Sequence, residues 1–372
     1  MNKSIYDQLK AKGFIINPEA KEDYLKKFEN ANSRANNPNQ KFWEDKRVLI
    51  TGISGFAGSH MADKLLSLGA KIYGLARRQS VPEYPNIKHI LDKVNIIEAN
   101  LQDPPSVYQA IKKIEPEVIF HLGAQSFIPT SFRCPVETFD TNIIGSANIF
   151  EALRNSKHNI EAIHIAGSSE EYGLVYPEET PIKETNALRP QSPYAVSKVS
   201  MELMGKNYHE AYGMPVVITR AFNHTGPRRG LQFVTSVINR QILKIANGET
   251  NKVIIGNPDP IRDFTDVRDT VRAYLLAIEK AKKGTPYNIG HGMAISIKDL
   301  IKLAADTAGV KNYTMEIDQS RFRPADVEIL VCDYSKAKEE LGYEPQIPLT
   351  QTLKDGMDYL KTKPHLLNIE AH

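Results

Sequence analysis

The chain has 372 residues, with 47 Lys plus Arg against 44 Asp plus Glu, a formal charge of +3, and 41% hydrophobic residues. That balance excludes a polybasic nucleic-acid binder, and two cysteines, Cys134 and Cys332, exclude a disulfide framework. No apolar run approaches a membrane span and the first 30 residues carry no signal-peptide core, so the reading is a cytoplasmic protein with an ordinary core.

Residues 1–46 are rich in Lys, Glu and Asn, with sparse apolar positions at Ile5, Leu9, Phe14, Tyr24 and Phe28. The pattern predicts short helices over Ile5–Lys12 and Glu22–Asn30, ending in the Asn36–Gln40 stretch. These residues are expected to form a surface arm on their own domain or on a neighbouring subunit, dispensable for folding. At Arg47 the pattern changes. Strands are predicted at Arg47–Thr51, Lys71–Leu75, Val94–Glu98, Val118–Leu122, Ala162–Ala166 and Val216–Arg220. Helices are predicted through Leu68 and over Val107–Ile114, Val136–Arg154 and Tyr194–Tyr212. This alternation argues for a Rossmann-like, doubly wound parallel α/β sheet over residues 47–222. Beyond it, Phe233–Ala246, Val267–Glu279, Ile297–Ala308 and Ser335–Leu341 read as helices. Residues 223–372 are expected to form mainly a smaller lobe over the carboxyl ends of the strands, where open α/β sheets bind ligands.

Gly52-Ile-Ser-Gly55-Phe-Ala-Gly58 lies between the first strand and the first helix. There the glycines let the backbone approach a pyrophosphate, and the helix N-terminus offers it free N–H groups. An acid at the end of the second strand would mark NAD. That strand is instead followed by Arg77 and Arg78, whose forked donors suit a 2′-phosphate, so NADP is expected.

Tyr194-Ala-Val-Ser-Lys198 places a phenol and an ammonium one helical turn apart. A neighbouring cation favours the phenolate, and the pair can then exchange a proton with an alcohol or ketone. The chain order of Gly-rich loop, Gly167-Ser-Ser169 and Y-x-x-x-K resembles the extended short-chain dehydrogenases/reductases. The likeness covers nearly all of residues 47–360. His121-Leu-Gly-Ala-Gln125-Ser126, Ser168-Ser-Glu170-Glu-Tyr-Gly173, Arg220-Ala-Phe-Asn-His-Thr-Gly-Pro227 and Arg262-Asp-Phe-Thr-Asp266 resemble its nucleotide-sugar-modifying members. Phe222-Asn-His-Thr-Gly-Pro-Arg-Arg-Gly230, Gln232-Phe-Val-Thr235 and Arg321-Phe-Arg-Pro-Ala-Asp-Val327 are most similar to the GDP-mannose 4,6-dehydratases and the related GDP-4-keto-6-deoxymannose reductases.

For a dehydratase, the resemblance implies Tyr194 as base at the sugar O4, Lys198 as its electrostatic support, Ser168 as a hydrogen-bond partner of O4 and Glu170 as base at C5. It implies a cofactor site of Gly52, Ser54, Gly55, Phe56, Ala57, Gly58, Arg77, Arg78, Asn100, Leu101, Gly123, Ala124, Tyr194, Lys198 and His224. Gln125, Ser126 and Asn223 would meet the sugar, and Arg262 and Arg323 the diphosphate. Arg228 and Arg229 would lie at a subunit contact near the cofactor. The other readings are an NADPH-dependent 4-keto sugar reductase and a non-catalytic NADP-binding regulator. The helices Val136–Arg154 and Tyr194–Tyr212 are expected to form the seam of a homodimer or homotetramer. His121, His164 and His224 lack partners at metal spacing, so no metal is expected, and no nucleic acid or membrane partner.

Overall fold

The computed structural model describes residues 3–369, apart from 30, 32–34, 81–82, 157, 323–324 and 326. The strands in chain order are β1 (Arg47–Thr51), β2 (Lys71–Ala76), β3 (Val94–Glu98), β4 (Val118–His121), β5 (Ala162–Ser168), β6 (Val216–Ala221), β7 (Asn223–Thr225), β8 (Lys252–Ile255), β9 (Ile261–Asp266), β10 (Pro286–Ile289), β11 (Ala294–Ser296), β12 (Thr314–Ile317) and β13 (Ile329–Leu330). Seven of them form one parallel sheet in the order β10-β6-β5-β4-β1-β2-β3. The order reverses between β1 and β4, which opens a crevice at their carboxyl ends.

The sheet is covered on both faces, and the side-chain alternation of its strands shows it. Val48 and Ile50 of β1, with Val118 and Phe120 of β4, enter one core beside the helix Phe56–Ser67 and the helix Val267–Lys280. Leu49 and Ile119 point into the other, against Pro104–Ile114 and Gly145–Ser156. All six are essentially sealed from water, and each such side chain stabilises the fold by roughly 1.5–3 kcal/mol relative to an exposed one.

The helix expected over Val136–Arg154 is continuous but irregular. Pro135–Phe139 leads into a π-helical turn at Asp140–Ile144 and then Gly145–Ser156. Past residue 222 the chain does not stay in the lobe. The helix Val267–Lys280 packs on the large sheet, and β10 joins it beside β6. The lobe itself holds a small sheet in which β11, β9 and β13 lie side by side, with β7 paired to β9. Its helices Val234–Ala246, Ile297–Ala308 and Leu349–Lys361 enclose a separate core.

The N-terminal arm packs on its own chain through a few buried apolar residues, while many of its polar residues stay exposed. Ile15 bridges Ala294 of β11, Ile16 and Tyr24 are sealed in the lobe core, and the indole of Trp43 donates to Glu279 at 2.6 Å. Asn30, the last residue of the second predicted arm helix, lies outside the described residues. Among the described residues no helix is long and apolar enough to cross a membrane.

Candidate active site

A cavity of about 980 Å³ lies between the carboxyl ends of β1, β4, β5 and β6 and the lobe. Its floor is the turn after β1. A Cβ on Gly58 would stand 2.2 Å from the Gly52 carbonyl oxygen, so only glycine lets the helix start this close beneath the turn. No side chain caps that helix at Gly55, and Phe56, Ala57 and Gly58 line the cavity. An uncapped helix N-terminus under a Gly-only turn fits a dinucleotide pyrophosphate.

Ser168 ends β5 and caps the short turn Ser169–Glu171. Its hydroxyl accepts the Glu170 N–H at 3.2 Å, and its own N–H donates to the Glu171 carboxylate at 2.6 Å. Glu170 thereby faces the cavity while Glu171 is buried beneath it. Gly167 must be glycine, because a Cβ there would meet Glu171 Oε1 at 2.5 Å and the Thr219 carbonyl at 2.7 Å.

The helix Pro193–Tyr212 starts with Ser192 as N-cap and proline at its first position, which suits the proline ring. Its first turns carry Tyr194 and Lys198 into the cavity. Burial pushes the Tyr194 phenol well above its ordinary value, while its hydrogen bond to Ser168 and the Arg229 charge pull the other way. Burial lowers Lys198 to about 8, and its ammonium donates to the Ala166 carbonyl at 2.8 Å, 5.8 Å from the Tyr194 ring centre. The π-helical turn ties this helix to the loop after β4. Asn142 donates to the Ser197 hydroxyl at 2.9 Å and accepts the Gln125 N–H at 2.8 Å.

The remaining expected positions divide. Gly52, Gly55, Phe56, Ala57, Gly58, Gly123, Ala124, Ser126, Asn223, His224 and Arg262 all line the cavity. Asn223 Oδ1 is buried there with no protein partner, and His224 stacks on Phe56 with ring centres 5.8 Å apart. Ser54, Gln125, Asn100 and Leu101 are not among the lining residues. The Gln125 amide is spent on Phe127 and Thr138, and Asn100 holds its own turn through Gln102 and Ser106. Arg77 and Arg78 are exposed just past β2, whose register with β1 sets them at the same end as the Gly52 turn. Arg323 lies outside the described residues.

Arg228 pairs with Asp63 of its own chain at 2.6 Å. Arg229 lines the cavity with its guanidinium 3.5 Å from the Phe233 ring centre and 4.8 Å from that of Phe56. Burial lowers it to about 10. The motif sets Arg229 near the cofactor, but its place between Phe56 and Phe233 is not legible in the sequence, because the two rings are far apart along the chain and only the fold brings them together. Asp318, Arg321 and Phe322 line the lobe side, and the Arg321–Val327 motif gives no individual role to them. His121 and His164 are buried in the sheet, hydrogen-bonded to Thr51 and Ser146 and to Thr219 respectively. Among the described residues no cluster of His, Cys, Asp or Glu has the grouping to hold a metal ion.

The family model described as GDP-mannose 4,6 dehydratase matches residues 49–356. The GDP-mannose 4,6-dehydratase of Yersinia enterocolitica is 32% identical over 360 residues, covering 87% of this chain and 96% of that protein. GDP-mannose 4,6 dehydratase 2 of Arabidopsis thaliana is 36% identical over 328 residues, 84% of this chain and 86% of that one. Among solved structures, RMD from Pseudomonas aeruginosa, complexed with NADPH, superposes with a TM-score of 0.73 at 27% identity, covering 86% of this chain and 98% of the other. A Thermotoga maritima UDP-glucose 4-epimerase with UDP-glucose gives 0.76 at 29% identity, with coverages of 86% and 99%.

Proposed function

The chain belongs to the GDP-mannose 4,6-dehydratase family, and on that premise we propose that it converts GDP-mannose, or a closely related GDP-sugar, to the 4-keto-6-deoxy sugar with NADP as its resident dinucleotide. The observation that carries the proposal is the convergence of Ser168, Glu170, Tyr194 and Lys198 on one cavity, between a Gly-only turn and Arg262. When bound, the nicotinamide would take a hydride from the sugar C4 and later return it to C6.

The protein's own residues would supply the proton chemistry. Tyr194, supported by the Lys198 cation and by Arg229, would accept the O4 proton as C4 becomes a ketone. Ser168 would hold O4 by a hydrogen bond. The ketone acidifies the C5 proton, and Glu170, beside Ser168, is the carboxylate that would remove it, while Asp318 on the lobe side is held by Ser320 and Arg321. The C6 hydroxyl would then leave as water with the proton that Glu170 took from C5, and a proton drawn from solvent would return to C5 as hydride reaches C6. The reaction is redox-neutral overall and loses one water.

Arg77 and Arg78 at the end of β2 support NADP, since two guanidiniums match a 2′-phosphate and no acid stands there for a free ribose. Arg262 would clamp the diphosphate as a bidentate donor. An apolar stripe supports assembly with a second copy. Val136 is 76% exposed and Leu203 53%, with Ile144, Val196 and Tyr212 also open on the same two helices. The unpaired cysteines, Cys134 exposed and Cys332 buried, fit a cytoplasmic setting. The test is turnover of GDP-mannose by the purified protein without added reductant. A 4-keto-6-deoxy product supports the proposal. A protein that instead consumes NADPH on the 4-keto sugar, or binds NADP without turnover, is not the enzyme proposed.

A further inference from the structure

The matched family region starts at residue 49, so the N-terminal arm stands outside it. Yet the arm is built into the lobe directly behind a residue of the cavity. Ile16 donates its N–H to the Ala294 carbonyl, and Ala294 donates to the Phe14 carbonyl, both at 2.8 Å. The arm thus adds an edge to β11, and β11 pairs with β9 so that Ala294 faces Asp263 and Ile295 faces Arg262.

Successive residues of a strand point to opposite faces. Arg262 lines the cavity, and the Asp263 carboxylate turns away from it to accept the N–H groups of His291 and Gly292 at 2.8 Å each, and that of Cys332 at 3.2 Å. The arm grips the same loop from the far side. The Tyr24 hydroxyl is 3.1 Å from His291 Nε2 and accepts the Leu349 N–H at 2.6 Å. Phe28 stacks on the His291 ring with centres 5.2 Å apart.

We propose that residues 14–28 are a positioning element for Arg262, with Tyr24 and His291 fixing the loop that anchors Asp263 and so setting the register and depth of the arginine in the cavity. This rests on the reading of Arg262 as the diphosphate clamp. None of these contacts of residues 14–28 reaches the Gly52 turn or the Tyr194 helix, so their influence falls on the sugar-nucleotide side. Tyr24 therefore tunes substrate affinity and leaves the proton chemistry and the dinucleotide site alone.

Deleting the arm exposes the lobe core and can unfold the chain, so the test uses Tyr24→Phe, which removes one hydroxyl and keeps the ring. Calorimetry with GDP and with NADPH, and steady-state turnover of GDP-mannose, are compared for the parent, Tyr24→Phe and Arg262→Ala. Tyr24→Phe is expected to raise the Kd for GDP and the KM by about threefold to tenfold, with kcat and NADPH affinity unchanged. Weaker GDP binding in Arg262→Ala but not in Tyr24→Phe overturns the arm proposal and spares the reading of Arg262. Unchanged GDP affinity in Arg262→Ala overturns both. Parallel losses of GDP affinity, NADPH affinity and kcat in Tyr24→Phe show a merely structural residue and also overturn it.

Discussion

The Ser168 N–H donates to the Glu171 carboxylate at 2.6 Å, so the residue expected to hold the sugar O4 is itself held by a buried acid one turn below. Burial, and then repulsion from Glu202, push the Glu171 carboxyl upward, with Arg220 opposing. Glu171→Ala leaves the Ser168 N–H without its acceptor, which costs about 1–3 kcal/mol for a buried donor. The expected result is a lower urea midpoint together with a fall in kcat, as the Ser168–Glu170 turn loses its cap. A variant with parental kcat would separate this turn from the chemistry.

Glu202 holds Arg220 with two short hydrogen bonds, 2.7 Å to Nε and 2.6 Å to Nη2, in a pocket closed to water. Glu202→Ala strands a buried guanidinium, whose nearest other carboxylate, Glu171, is 3.8 Å away. Removing one partner of a buried pair costs about 3–5 kcal/mol. Denaturant unfolding should register that loss, and a change below 1 kcal/mol would mean that Glu171 or solvent takes over the charge.

Tyr194 and Glu170 are assigned different protons, and their variants should fail differently. Tyr194→Phe removes the O4 base and should lower kcat by about 10²–10⁴, the usual span for a positioned acid or base, with GDP binding retained. Glu170→Gln should lower product formation by a similar factor. Run in heavy water, the parent's product should carry solvent deuterium at C5. Residual product from Glu170→Gln with full C5 labelling at the parental rate would remove Glu170 from that role.

Among the described residues His60, His121, His164 and His291 are buried and His224 lines the cavity, and all five imidazoles are held below their ordinary value. Burial lowers His60 and His291 to about 4 and His121, His164 and His224 to about 3. Unfolded histidines titrate near 6.5, so between pH 6.5 and 4 the unfolded chain binds protons that the folded chain refuses. Each such histidine then subtracts about 1.4 kcal/mol of stability per pH unit of acidification. Asp263, raised to about 7 mainly by burial, Glu171 and Asp269 act in the opposite sense, since folded they keep a proton that the unfolded chain has lost. The histidines outnumber them, and the urea midpoint should fall between about pH 6.5 and pH 4.5. A midpoint that rises over this range would place the acids in control.

The parallel sheet was legible because β1, β4, β5 and β6 are short apolar, β-branched runs alternating with helical segments, whereas the order of its strands comes from the structure. The fold also brings Ser168, Glu170, Tyr194 and Lys198 to one cavity, where the motif order had set them. β10 was not legible. Pro286-Tyr-Asn-Ile289 is short and opens on a proline, so it carries no strand signal of its own; it pairs with β6, and Asn288 is held by Tyr172 and Ile182. The arm was underestimated for a related reason. Ile16, Tyr24 and Trp43 are too sparse to make a core of their own, but Ile16 and Tyr24 complete the core that the lobe supplies, and Trp43 completes the one beneath the large sheet. At Gln125, a polar residue inside a site motif, the fold adds a loop-holding role through Thr138 and Phe127 that the motif does not show.

In an internal hydride cycle, hydrogen leaving C4 of the sugar returns at C6 of the same molecule. Turnover of GDP-mannose deuterated at C4, without added reductant, reads this out by mass spectrometry and proton NMR of the product. The expected product is lighter by one water and carries the deuterium at C6. A product without deuterium at C6, or one formed only when NADPH is supplied in stoichiometric amount, would contradict it.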